Sequence, residues 1–289
     1  MPWAGDARPG PLRRAELARA AAASRHTNLV LAIFGFARAT PLTAAAQQRF
    51  CGYARAVLRR VPRARAVVVW NEANVQTYWR GSAAAYERLL ARCYDRLHPL
   101  GAEVLDSTAS GHAPAAFLRA LGRAYRRSGR RRPLVDAFGH NPYPRTSAEA
   151  PGAPHAPGFL GEGDYRRLVS TLARAFAGTA QRSRDVWYLE DGFQSVFPPS
   201  LRSRYRGRET VPTVGAEGQA RRLRHAILLA ACQPHVRAFF NFELVDEQRL
   251  AGWQSGLIWR GARPKPAAEA FGAAARAVDS ARLRCRRRP

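Results

Sequence analysis

Two glutamates stand where a short apolar run gives way to a polar loop. Glu72 follows Arg65–Trp70 in Trp70-Asn71-Glu72-Ala73-Asn74, and Glu190 follows Asp185–Leu189 in Trp187-Tyr188-Leu189-Glu190-Asp191-Gly192. A pair of carboxyl groups can divide labour: one gives a proton to a leaving oxygen while the other attacks carbon. At the anomeric carbon of a sugar, that division needs the two groups about 5–5.5 Å apart. Other chemistries find less support. The histidines are dispersed, with no pair at ligand spacing, so no metal or other cofactor is expected. Cys51, Cys93, Cys232 and Cys285 form no CxxC arrangement. Buried free thiols and a Cys232–Cys285 disulfide in an exported protein both remain open.

The elements that must position these glutamates alternate along the chain. Short apolar runs at 28–36, 65–70, 103–107, 134–138, 185–189 and 236–242 read as strands buried on both faces. Segments 11–24, 43–60, 82–97, 114–127, 164–177, 217–232 and 266–278 read as helices, with Thr43 as a candidate N-cap. Glu162 and Asp164 are expected to cap the helix that follows them. Such alternation predicts an α/β fold with a parallel sheet. The loops after the strands are long and the loops before them short, the asymmetry of a barrel whose site lies at the carboxyl ends of its strands. The competing doubly wound sheet usually carries G-x-G-x-x-G after its first strand, and the chain has none. The expectation is therefore a (β/α)8 TIM-barrel type domain over 28–280. Residues 1–27 are read as an irregular start plus a helix, and 281–289 as a basic tail.

About six strand–helix units are visible against the eight of a closed barrel, so the barrel is expected to lack its first two strands. On that count Glu72 ends the fourth strand of eight and Glu190 the seventh, which face each other across a barrel mouth.

Four segments, VVVWNEAN, VDAFGHNPYP, VWYLEDGFQS and FFNFELVDEQRLAGWQSGLIWRGARPKPAAEAF, carry a resemblance. In order and placement they resemble clan A glycoside hydrolases, most nearly cellulase-like actinobacterial proteins of families five and thirty-nine. The resemblance runs from Asn28 nearly to the end of the chain. It implies a retaining glycosidase acting on a β-linked carbohydrate and secreted. Glu72 would be the general acid/base and Glu190 the nucleophile, with Asn71 bonding the hydroxyl beside the anomeric carbon. Tyr143 would hold the nucleophile, and Trp253 would stack on a sugar ring. Two departures stand out. Ala73 replaces the clan's usual proline, and Asn141 takes the usual histidine place, with His140 one residue early. Glu243, Asp246 and Glu247 are expected as salt-bridged rim residues or as substrate contacts, and Asp191 as structural. A catalytically impaired, glycan-binding relative is the second reading.

Composition narrows the partners. The chain has 289 residues, 46% hydrophobic, and a formal net charge of +26. Lys265 is the only lysine, so the excess is arginine, which a GC-rich genome suffices to explain. Arg55, Arg59, Arg60, Arg119, Arg123, Arg126 and Arg127 fall within helices and are read as solvated faces, as are the runs Arg130–Arg132 and Arg286–Arg288. An arginine-rich binder of nucleic acid or another polyanion is the third reading; no basic–aromatic interleaving supports it. No run approaches the ~18 apolar residues of a membrane span, and the first residues lack the apolar core of a signal peptide.

Overall fold

The computed structural model describes residues 1–6, 8–261, 263–280, 283 and 285. The Arg286–Arg288 run and most of the 281–289 tail lie outside the described residues. The chain forms two compact units, Met1–His140 with Arg167–Val186, and Asn141–Arg166 with Trp187–Pro289.

The first unit is built on alternating strands and helices. In chain order these are α1 (Pro11–Ala23), β1 (Val30–Ile33), α2 (Ala44–Leu58), β2 (Ala66–Val69), α3 (Ala83–Leu97), β3 (Glu103–Leu105), β4 (Thr108–Ala109), α4 (Pro114–Ser128) and β5 (Phe138–Asn141). Helix α5 (Tyr165–Ala175) belongs to this unit from Arg167 onward. Strands β1, β2 and β3 pair in parallel and in chain order, with Val30 opposite Ala66 and Ala66 opposite Glu103. All four residues of β2 are buried, as befits a strand covered on both faces. Thr43 and Ser82 cap α2 and α3, their hydroxyls accepting the N–H of Ala46 and Ala85 at 3.2 Å. A disulfide ties Cys51 of α2 to Cys93 of α3. Helices α4 and α5 approach closely because Gly122 has no side chain. A Cβ there would stand 2.1 Å from the carbonyl oxygen of Ala175.

Two local differences from the sequence expectation have physical causes. Residues Met1–Trp3 form no regular element, as expected, but an isolated bridge ties them to the chain after β1. The Trp3 N–H donates to Phe34 O at 2.6 Å, the Phe34 N–H donates to Met1 O at 3.2 Å, and Pro2 bridges Phe34 in parallel. Trp3 supplies the energy for this pairing, buried against Phe50 and Trp70 at ring distances of 5.2 and 6.3 Å. A single aromatic among proline and glycine gave no local sign of that bridge. The strand expected at 134–138 begins instead at Phe138. The Gln181 side chain occupies the polar groups before it, accepting from Leu134 N and Val135 N and donating to Val135 O. A side chain thus takes a neighbouring strand's role there.

The second unit contains β6 (Val186–Asp191) beside β7 (Val236–Asn241), with α6 (Ala216–Ala231) and α7 (Pro266–Asp279). Phe193, Leu223, Ile227, Ala267 and Ala274 form its apolar core. A small antiparallel pair, β8 (Ile258–Trp259) with β9 (Arg263–Pro264), interrupts the loop before α7. A second disulfide joins Cys232 to Cys285. The open question over the thiols is thereby answered in both cases, since no free cysteine remains. Among the described residues no helix is long and apolar enough to cross a membrane.

The Cys51–Cys93 bridge closes 42 residues of sequence. Chain-entropy arguments put the worth of a loop of that order at about 4 kcal/mol. Replacing both cysteines by alanine should lower unfolding stability by about 2–4 kcal/mol, read as a lower urea midpoint with a somewhat steeper slope, because the uncrosslinked chain exposes more surface when it unfolds.

Candidate active site

Glu72 sits in a tightly held turn in the first unit. Trp70, at the end of β2, is wholly buried and donates its indole N–H to Tyr78 O at 3.0 Å. Both Trp70 and Glu72 have positive φ, 71° and 42°. Neither is glycine, so the turn is strained and must be held by its surroundings. The holding contacts come from the segment after β3. The Glu72 N–H donates to Ser107 Oγ at 3.2 Å and the Ala73 N–H to Ser107 O at 3.0 Å. Asn74 is a clamp: its side-chain oxygen accepts from Ala109 N, and its amide donates to the carbonyls of Ala109 and Gly111. Ala73, where the clan has proline, is buried within this set of bonds. Asn71 is buried beside the half-buried Glu72.

His140 is buried too, its Nδ1 2.9 Å from Thr108 Oγ1. Nearby, Asp106 is fully buried and accepts the Gly139 N–H at 2.8 Å. Burial pushes its carboxyl up to about 7, against a smaller pull down from the Gly139 N–H.

Glu190, near the end of β6 in the second unit, accepts a hydrogen bond from Tyr143 Oη at Oε2, 3.1 Å. The Tyr143 ring lies 5.0 Å from that of Trp253, and Phe242 meets Trp253 edge-on at 5.4 Å. Tyr143, Trp253 and Glu190 are all partly exposed, so one aromatic wall borders the carboxylate. Asn141 is fully buried at the end of β5. Gly192 is required where the chain leaves β6, because a Cβ would lie 2.6 Å from Phe242 O. Asp191 is buried, and burial raises it to about 7, opposed by the Gly192 N–H it accepts.

Several acids sit elsewhere than the sequence suggested. Glu162, expected to cap the helix that follows it, is instead buried. It is 2% exposed, and burial and then the neighbouring Asp191 raise its pKa well above the usual range. Asp164 does accept the Gly161 N–H, and it also holds His155, whose Nδ1 is 2.7 Å away. The other nitrogen of His155 meets Glu149 at 3.1 Å, so one imidazole ties together the long loop after β5. Glu243 is half-buried and raised to about 7 by burial, then by Glu247 and Asp246. Asp246 is not on a rim.

Asp246 is 0% exposed and pairs with Lys265 at 2.7 Å. Lys265 Nζ also donates to Ser195 Oγ at 3.1 Å and to Gln254 O at 2.9 Å, so its three protons find three acceptors. Burial pushes both groups toward neutrality, and their pairing opposes it. The remaining oxygen of Asp246 accepts from Tyr205 Oη at 2.8 Å. The sequence held one usable signal for this cluster, a lone lysine in an arginine-rich chain. The ion pair reaches the aromatic wall through adjacent backbone. Gln254 follows Trp253, its carbonyl also accepts the Ser195 N–H at 3.1 Å, and the Glu247 N–H donates to Trp253 O at 2.9 Å. Among the described residues no group of histidine, cysteine and acidic side chains could hold a metal ion.

With this geometry in view, three solved structures share the fold. An endo-β-1,3-glucanase of family GH128 from Amycolatopsis mediterranei, in complex with laminarihexaose, superposes with a TM-score of 0.51 at 15% identity, over 88% of this chain and 93% of that one. A GH2 β-galacturonidase from Eisenbergiella tayi gives 0.53 at 12% identity, over 86% of this chain and 40% of that one. A β-glucuronidase from Ruminococcus gnavus, in complex with uronic deoxynojirimycin, gives 0.50 at 14%, over 79% and 35%. The chain spans well under half of the latter two. No protein-family model matches the chain, and no curated protein sequence does. The fold is thus the α/β barrel type found in glycoside hydrolases. The narrower likeness to families five and thirty-nine rests on the sequence motifs.

Two predictions follow from these clusters. Lys265→Met strands a buried carboxylate and should cost about 3–5 kcal/mol in urea unfolding. Lys265→Arg should fall short of wild type as well, because a planar fork cannot reproduce three converging bonds. The Asp106 pKa is raised on folding, so the folded state binds more protons than the unfolded one. Its contribution is present below about pH 4 and is lost as pH rises through about 7. Asp106→Asn keeps the acceptor for Gly139 and should flatten that slope in thermal unfolding measured from pH 4 to 8.

Proposed function

We propose that the chain is a retaining glycosidase that cleaves a β-linked oligo- or polysaccharide by double displacement. The observation that carries this reading is the Tyr143–Glu190 hydrogen bond set against the Tyr143–Trp253 aromatic wall. A phenol donating to one carboxylate oxygen favours the ionised form and fixes its orientation, which a nucleophile needs. The wall offers an apolar face to the C–H face of a pyranose.

Glu190 attacks the anomeric carbon and forms a glycosyl–enzyme ester while Glu72 gives its proton to the leaving oxygen. Glu72, now a base, then takes a proton from water, and that water releases the sugar with its original anomeric configuration. Asn71, beside Glu72, donates to the hydroxyl next to the anomeric carbon, a bond that strengthens as positive charge develops. Trp253 binds substrate; Asn141, expected as a second contact, has no exposed surface and instead packs under the site at the end of β5. The strained turn at Trp70–Glu72 supports this reading, because strain held by many bonds is characteristic of functional positions. The two disulfides suit a protein of an oxidising, extracellular compartment.

Aryl β-glycosides test the assignment. Glu190→Gln should lose turnover by about a thousandfold or more, at unchanged fold. Glu72→Ala should fall much further on a poor leaving group than on 2,4-dinitrophenolate, which departs without a proton. Equal losses on both substrates would remove Glu72 from the acid role, and wild-type turnover by Glu190→Gln would sink the mechanism.

A further inference from the structure

We propose that a groove between α4 and α5, on the first unit and separate from the proposed catalytic residues, binds an anionic carbohydrate chain. The groove is a cavity of about 450 Å³ lined by Arg119, Arg123, Arg126, Thr171, Arg174 and Ala175. Arg119, Arg123 and Arg126 are spaced four and three residues apart, so α4 presents them on one face. They span about 10 Å at 1.5 Å per residue. Arg174 completes the set from α5.

The cluster lacks internal neutralisation. Among the described residues, no carboxylate lies within ion-pair distance of any of the four. Arg126 donates to Ala175 O at 2.5 Å, and Arg174 to Ser170 Oγ at 3.1 Å. These bonds hold two guanidinium groups in place without cancelling their charge. Elsewhere the same protein does neutralise its arginines, as where Arg130 and Arg132 share Asp95. Four like charges kept together cost energy that a ligand with several anionic groups recovers. Guanidinium forks fit carboxylate and sulfate oxygens two at a time.

Two observations choose the occupant. The lining contains no aromatic residue, so bases of a single-stranded nucleic acid would find no stacking platform. Two disulfides and no free cysteine suit an extracellular compartment, where the polyanions include sulfated and uronate-bearing glycans. These arginines are exposed, as a solvated face requires, and the proposed site does not depend on the glycosidase assignment.

The test compares two triple variants of equal charge. One is Arg119→Gln, Arg123→Gln and Arg174→Gln; the other removes Arg55, Arg59 and Arg63, which are exposed and elsewhere. Arg126 is kept because it supports α5. The probes are a heparin tetrasaccharide, an uncharged β-glucan tetraose and a hexathymidylate, titrated at fixed salt with thermal unfolding as a control on fold. The groove variant should bind the heparin fragment at least tenfold more weakly and with a shallower salt dependence. The control triple should change affinity less than twofold, and both other probes should bind more weakly than heparin. Equal losses in the two triples would assign the binding to bulk charge and overturn the proposal. So would wild type failing to bind the heparin fragment, or binding the hexathymidylate as tightly and losing it in the same variant.

Discussion

A buried ion pair governs the loops of the second unit. Lys265 and Asp246 carry opposite charges at almost no exposure, and each would be costly alone. Together they bind four partners: Ser195 just beyond β6, the carbonyl of Gln254, the hydroxyl of Tyr205 and the N–H of Gly256. These belong to segments that are far apart in sequence and have little regular structure of their own. Gly256 is needed for the approach, because a Cβ there would lie 2.5 Å from Asp246 N. Trp253 stands one residue from Gln254. The aromatic wall beside Glu190 thus inherits its position from a charge pair that need touch no substrate.

The first unit secures its glutamate by a different route. Neutral hydrogen bonds from Ser107 and Asn74 converge on a turn that two non-glycine residues enter at positive φ. Trp70 anchors that turn, packed among Trp3, Phe50 and Trp79. Sheet and aromatic core here absorb the strain that loops would shed. One glutamate is thus held by hydrogen bonds over an aromatic core, and the aromatic wall beside the other by a buried charge pair that salt screens little.

The strands and helices were legible because their residues obey local rules. Apolar runs such as Ala66–Val69 announce buried strands, and Thr43 announces a helix start. Failures came where a distant group satisfied the backbone. Gln181 displaced a strand at Leu134–Val135, and Trp3, packed on residues 47 and 67 positions away, holds an isolated bridge between Pro2 and Phe34. The places of Glu72 and Glu190 at strand ends were legible in the sequence, and so was the approach of Tyr143 to Glu190. The Asp246 and Glu162 environments were not, since burial of an acid depends on the whole tertiary arrangement. Nor could helical spacing alone bring Arg174 beside Arg119, Arg123 and Arg126, because that depends on how α5 lies against α4.

The solitary lysine also makes the protein its own reporter. Amine-acylating reagents would find a single side-chain amine in the whole chain, and its nitrogen is sealed among three acceptors. Apart from the N-terminus, any label incorporated marks a moment when that seal was open. The labelling rate at Lys265 would then clock the breathing of one defined core, with no competing lysine to be mapped or subtracted.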